Sequence, residues 1–279
     1  MLPKQLRESL FERASVKTMR YVTAVPVRSA VGLVRRVYDM IAEDFFVNGS
    51  LSSHSRVPEL FSGSWLGGRE VVLVTDQLDR TTKEAMGATL SYVNDCPYCA
   101  DMLVSLVHGS GDHRAATSIM REAEESISDP RLRERVVWVR QVASDGPESA
   151  VFTPFTTEEM PEAIGTLFIL NYVNRFSHVV MDGSPVGKSL KNTSLRLFGY
   201  ELRETTEREI TPGRGLELLP GAPIPDDMAW AQSNPRIADA LARWAAAVDR
   251  ESEHAISPEV RLLVLELSLI HISEPTRRH

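Results

Sequence analysis

TTKEAMGATLSYVNDCPYC, the stretch from Thr81 to Cys99, carries both the period and the chemistry on which the reading of this chain turns. From Thr82 to Val93 apolar residues recur at three- and four-residue spacing, the period of a helix with a buried face. Thr81-Thr82-Lys83-Glu84 opens that helix in the capping-box arrangement, in which a hydroxyl and a carboxylate three residues on satisfy orphan amide protons. Asn94 and Asp95 are cap-type residues, so Cys96-Pro97-Tyr98-Cys99 falls at the start of a second helix. Two thiols two residues apart there can form a disulfide with little backbone movement, and the exposed helix amides lower the thiolate pKa of the leading cysteine. Asp95 and Asp101 work against this if they lie close, because a neighbouring anion raises a thiol pKa.

The helical period extends outward on both sides. It is present in Val31 to Phe46, Glu59 to Val74 and Leu103 to Val107, and no convincing alternating strand occurs, which predicts an all-α fold. Gly109-Ser110-Gly111 ends the cysteine helix, and Ser144-Asp145-Gly146-Pro147 ends one running from Asp129 to Ala143. Thr156-Thr157-Glu158-Glu159 repeats the capping-box pattern before Glu158 to Met181, a helix apolar enough to be central, which closes at Asp182-Gly183-Ser184-Pro185. From Phe198 to Asp227 the composition shifts to Pro, Gly and Glu. The expected organisation is an N-terminal extension (1–30), a helical domain (31–187), a connection (188–227) and a second, truncated helical unit (228–266). That unit echoes the first: Pro58 to Trp65 and Arg80 to Glu84 are matched by Pro235 to Trp244 and Ile256 to Val260, a spacing that two helices can also reach by chance.

Bulk composition narrows the function classes. With 279 residues, 43% hydrophobic and 25% charged, the chain can bury a sizeable core. A formal charge of -7 and a pI of about 5.6 leave no basic face for phosphates, so neither nucleic acid nor an acidic lipid surface is an expected partner. No run approaches the ~18 apolar residues of a membrane span, and charges interrupt Met1 to Arg20, so a cytoplasmic location is expected by default. Cys96 and Cys99 are the chain's two cysteines, and in a reducing compartment that pairing suggests redox or metal chemistry before a structural staple.

Glu84, eleven intervening residues, Cys96, two residues and Cys99 together resemble the signature of alkyl hydroperoxidase D-like proteins of the carboxymuconolactone decarboxylase superfamily. Pro58-Glu59-Leu60 and Trp65 upstream, and Asn171-Tyr172-Val173-Asn174-Arg175 downstream, are similar to other parts of that pattern, so the resemblance covers about Val31 to Pro185. It implies an antiparallel helical bundle and a thiol-dependent peroxidase without a cofactor or bound metal. Cys96 and Cys99 would cycle between dithiol and disulfide, with one attacking a peroxide oxygen and the other resolving the sulfenic acid. Glu84 would relay protons, unless it only completes the capping box with Thr81. Tyr98, Asn174, Arg175 and His178 would support the site. The implied partners are a small hydroperoxide, a thiol or dithiol reductant and further copies of the chain. One departure stands out: where full relay chemistry in the family has a histidine four residues after the second cysteine, this chain has Leu103, which removes the thiolate's hydrogen-bonding partner.

Three other readings compete. Cys96, Cys99, His108 and His113 offer two sulfurs and two imidazoles for a metal, although the interval between the pairs is short and glycines interrupt the helix. A lactone-acid decarboxylase is the second, and a helical scaffold that has lost catalysis with its histidine is the third. The end of the chain, LSLIHISEPTR from Leu267 to Arg277, resembles the conceptual translation of a transposase-based sequencing adapter. Residues 267–279 are therefore expected to be non-native, and the natural protein to be longer; the alternative is a true terminal helix from Leu262 to Ile272, broken at Pro275.

Overall fold

The computed structural model describes residues 12–13, 17–146, 149–150, 152–184 and 191–273. Among these the fold is all-α, with one isolated antiparallel bridge between Met19 and Met181. The helices are α1 (Gly32–Asp44), α2 (Gly49–Ser52), α3 (Pro58–Gly67), α4 (Arg80–Val93), α5 (Pro97–Gly109), α6 (His113–Met120), α7 (Pro130–Asp145), α8 (Met160–Val180), α9 (Lys191–Thr206), α10 (Pro235–Ala255) and α11 (Pro258–Ser273). A π-helical turn, Gly68–Leu73, continues α3. No helix among the described residues is long and apolar enough to cross a membrane.

Helix α4 is the hub. It is enclosed by α5, α7 and α8, and apart from Thr81 it is buried from Arg80 to Ser91. Its N-cap is Asp79, whose carboxylate accepts from the Thr82 amide at 2.9 Å and from the Thr82 hydroxyl at 2.6 Å. Thr81 and Glu84 therefore do not form the capping box, and Glu84 is left to another partner. At Thr156 the expected box does form: the Thr156 amide donates to Glu159 at 2.9 Å, and the Glu159 amide donates to the Thr156 hydroxyl at 3.3 Å.

Between α4 and α5 the chain reverses at Asp95, whose φ of 50° lies in the left-handed region that Asp tolerates better than most residues. The Cys96 amide donates to the Ser91 carbonyl at 3.0 Å, which closes the turn.

Segment 188–227, which the composition suggests is a connection, contains α9, a helix of 16 residues packed along α5. The two helices approach through glycines. A Cβ at Gly199 would lie 2.4 Å from the Ser105 carbonyl oxygen, and one at Gly109 would lie 2.9 Å from the Gly199 carbonyl oxygen. The Pro- and Gly-rich part that follows is tied down by a buried carboxylate: Glu70 accepts from the Gly213 and Gly215 amides at 2.8 and 2.9 Å. Helix α10 docks on α3, with the Trp244 ring lying so close to Gly63 that a Cβ there would be 2.3 Å away. Ile237, Leu241 and Trp244 thereby join the same core as Val71 and Ile169, so the segment resembling a second unit packs into the first. Residues 1–11 and 14–16 of the expected extension, 185–190 at the expected end of the first unit, and 274–279 of the expected tail lie outside the described residues.

Because the atom facing Gly199 is backbone and not a flexible side-chain tip, Gly199→Ala must push α9 off α5. It is expected to lower unfolding free energy by about 1–3 kcal/mol in urea titration. An unchanged midpoint would mean that the two helices are not in register at this glycine.

Candidate active site

Cys96 is the N-cap of α5, Pro97 is its first helical residue, and Cys99 lies one turn in. Three residues apart at the start of one helix, the two side chains are neighbours on the same face. Both are free thiols and both are buried, with relative exposures of 1% and 4%. They share a hydrogen bond, and its effect on the two sulfurs is opposite. Cys96 is held below the usual thiol pKa, chiefly by the bond from the Cys99 thiol and with a smaller contribution from the Cys99 amide, against burial and the Asp95 charge. Burial, followed by the bond to Cys96, pushes Cys99 well above the usual value.

Asp101 does not act on either sulfur. It is fully buried, pairs with Lys191 Nζ at 2.9 Å and accepts from the Ser184 hydroxyl.

The thiols lie between two layers. On one side Met19 and Val22 pack on the cluster of Cys96, Tyr98, Cys99, Val180 and Met181. That N-terminal arm is tied to α8 by bonds from the Arg20 amide to the Val180 carbonyl (2.7 Å) and from the Asp182 amide to the Thr18 carbonyl (2.6 Å). On the other side is a largely apolar cavity of about 120 Å³, walled by residues that include Trp65, Leu103 and Val173, with Cys99 and Glu84 both in its lining. Leu103, one turn beyond Cys99 on the same face, fills the position of the family histidine with an apolar wall.

Glu84 is 1% exposed. One carboxylate oxygen accepts from Arg80 Nε at 2.8 Å, and the other is buried without a hydrogen-bond partner. Burial raises its pKa above the usual carboxyl range even though Arg80 pulls the other way. An orphaned buried oxygen in the wall of a cavity that also holds a thiol suits a proton carrier better than a purely structural group.

Of the remaining expected site residues, Tyr98 lines the same cavity, and Asn174, Arg175 and His178 do not. Tyr98 is buried and its hydroxyl accepts from the Gly49 amide at 3.2 Å, which fixes α2 against the start of α5. Asn174 is buried, and its Oδ1 accepts from the Ser91 hydroxyl at 2.9 Å, which ties α8 to α4. His178 is exposed, with Nδ1 donating to the Asp95 carbonyl at 3.1 Å, so it braces the turn before Cys96. Arg175 is exposed on α8. His108 and His113 face each other, Nδ1 to Nδ1 at 3.1 Å, and nine residues of helix, about 13 Å of rise, separate His108 from Cys99. Among the described residues no group of three or more His, Cys, Asp or Glu side chains is placed to hold a metal ion.

Sequence reasoning missed the run Asn48 to Ser55, which is buried at every residue except Leu51, itself partly buried. Within it, His54 receives a hydrogen bond from the Tyr172 hydroxyl at Nε2 (2.7 Å) and donates through Nδ1 to the Ser50 carbonyl (3.1 Å), while its ring stacks on Phe176. Ser50 Oγ lies 2.8 Å from Ser177 Oγ on α8. The available signal was weak: Ser177 follows Asn174 by one turn on the helix already singled out, but nothing local ties it to Ser50.

Burial drops the His54 pKa to about 4. An unfolded histidine titrates near about 6.5, so between the two values the unfolded chain binds a proton that the folded chain does not, and stability falls as pH drops through that window. In urea titrations at about pH 7 and pH 5, His54→Gln is expected to lose less stability on acidification than the parent chain. His108, also lowered to about 4, leaves part of the slope in both proteins. An equal loss in the two would assign the dependence elsewhere.

No family model matches the sequence. Over 230 residues the chain is 27% identical to alkyl hydroperoxide reductase Rv2159c of Mycobacterium tuberculosis (strain ATCC 25618 / H37Rv); the match covers 81% of this chain and 65% of that protein, so the chain spans somewhat less than two thirds of its relative. The crystal structure of an alkylhydroperoxidase AhpD core, an uncharacterized peroxidase-related protein from Ralstonia eutropha JMP134, has a TM-score of 0.54 to it at 14% identity, covering 66% of this chain and 97% of that one. At that identity the likeness is one of fold. The fold is thus similar to that of an AhpD core, and the sequence is similar to that of an alkyl hydroperoxide reductase.

Proposed function

We propose that the chain is a thiol-dependent peroxidase in which Cys99 attacks a hydroperoxide and Cys96 resolves the product. The observation that carries this reading is the cavity whose lining includes both Cys99 and the buried Glu84. Cys96, although the more acidic thiol, is not among the residues lining it.

The cycle balances as follows. With the shared proton on Cys96, the Cys99 thiolate attacks the outer oxygen of the hydroperoxide; an S–O bond forms and the O–O bond breaks. Glu84, biased towards the acid by burial, protonates the departing alkoxide. The products are an alcohol and a Cys99 sulfenic acid. Cys96 then attacks the Cys99 sulfur, the S–S bond forms, and hydroxide leaves with the Cys96 proton as water. An external thiol or dithiol returns two electrons and two protons by thiol–disulfide exchange, one proton going back to Glu84. Peroxide is thereby reduced, and the donor is the net species oxidised.

A catalytically silent scaffold remains the second reading, favoured by the apolar Leu103. Free-thiol titration before and after a stoichiometric peroxide pulse separates the two: loss of two thiols supports the enzyme, and an inert pair supports the scaffold.

Cys99→Ser is expected to abolish peroxide-dependent oxidation of the donor, and Cys96→Ser to stop at a sulfenic acid visible by mass spectrometry of the cysteine peptide. Retained turnover in Cys99→Ser would remove the pair from the mechanism. Glu84→Gln, which keeps the shape but cannot give up a carboxyl proton, is expected to lower kcat/KM by about 100-fold or more in steady-state assays.

A further inference from the structure

Leu103 leaves open what stabilises charge on Cys99, and the answer drawn here rests on the peroxidase reading above. The Cys99 sulfur lies 3.9 Å from the Val173 carbonyl oxygen. Ser177 lies one turn further along α8, on the same face as Val173, and is 1% exposed. Its hydroxyl oxygen is 2.8 Å from that of Ser50, which comes from α2 and shares the lining of the cavity with Cys99. Ser50 is itself held from behind, because its carbonyl accepts from His54 and His54 is fixed by Tyr172.

Two hydroxyls in contact own two protons. One lies between the oxygens, and the other is available to a third group. Donation from Ser50 to Ser177 leaves the Ser177 proton free to turn to an anion beside it.

We propose that the Ser50–Ser177 pair is the positioning device for the nucleophile: Ser50 donates to Ser177, and Ser177 donates to the Cys99 thiolate, in the role that Leu103 cannot fill. A charge-assisted bond of this kind is roughly twice as strong as one between neutral groups, and burial excludes the water that would otherwise replace it. The direction of the Ser177 effect agrees, since its hydroxyl opposes the burial that pushes the Cys99 pKa up. The other titratable groups around that sulfur are Cys96 and Tyr98 on α5, Glu84 with Arg80 on α4, and His54 behind Ser50. None of these is altered by changing Ser177.

The test is a titration of Cys99 in a Cys96→Ser background, following the thiolate by its ultraviolet absorbance. Adding Ser177→Ala is expected to raise the midpoint by about one pH unit. Ser177→Thr, which restores a hydroxyl, is expected to return it most of the way, and Ser50→Ala to raise it by less. An unmoved midpoint in Ser177→Ala, or the same rise in Ser177→Thr, overturns the proposal. Circular dichroism confirms that each variant is folded, and Ser50→Ala reads the same pair from α2 should Ser177→Ala not fold. The readout needs no turnover, so its failure is distinguishable from failure of the peroxidase reading, which the Cys99→Ser assay decides independently.

Discussion

Two sulfurs at the start of α5 share a hydrogen bond in a place that water does not reach, and most of the surrounding structure answers to that constraint. A buried thiolate is costly unless neighbouring donors replace its hydration. Cys96 meets the requirement locally, as the N-cap residue with the Cys99 thiol and amide beside it. Cys99 cannot, because one turn into the helix the amides are committed to the backbone ladder. Its stabilisation has to come from other elements, and α8 and α2 are the ones in reach. The pair is thus asymmetric: Cys96 is made the more acidic chiefly by the bond from the Cys99 thiol, and Cys99 lines the cavity.

A second set of buried charges holds the frame of that cavity. Arg69 pairs with Asp44 at 2.7 Å and with Glu70, and Glu70 in turn receives the amides of Gly213 and Gly215. Lys83 pairs with Glu162 and donates to the carbonyls of Val71 and Val74 at 3.0 and 2.7 Å. These networks sit where regular helix stops: at the π-helical turn after α3, in the loop before α4 and in the segment after α9. Irregular backbone inside a core leaves amides and carbonyls without helical partners, and charged side chains of the right reach supply them. Gly68, Val72 and Leu73 of the π-helical turn also line the cavity, so the ion pairs that fix the turn shape the space in front of Cys99. Removing one member of such a pair generally costs about 3–5 kcal/mol, because the partner is left charged and buried.

Replacement of the family histidine by Leu103 changes the character of the site as well as its proton chemistry. An imidazole there would add a polar group to the cavity wall, whereas leucine extends the apolar surface made by Trp65 and Val173. Glu84 then remains as the carboxylate in the cavity lining, with one oxygen unpartnered. The site gains an apolar approach, and in the proposed cycle Glu84 carries the protons and hydroxyls stabilise the anion.

Much of this was legible locally. The helical period around Thr81 to Cys99, the reversal before Cys96, the capping box at Thr156 and the spacing that brings two thiols onto one turn all depend on residues within a few positions of one another, where backbone geometry leaves little choice. What the sequence could not decide was which distant groups would meet the sulfurs. Thr81 to Glu84 matched a capping box, yet Asp79 took the cap and Glu84 turned to Arg80 and the cavity. The composition after Phe198 suggested a connection, yet the contact of Gly199 with α5 is a matter of packing that no local pattern encodes. Ser177 lies more than a hundred residues from Ser50 and His54, and only the docking of α8 against α2 brings the two hydroxyls together. Sequence therefore determined that the chain is helical and that two thiols share a turn, because those are short-range properties; tertiary packing alone decided which cysteine lines a cavity and which distant residues share that lining.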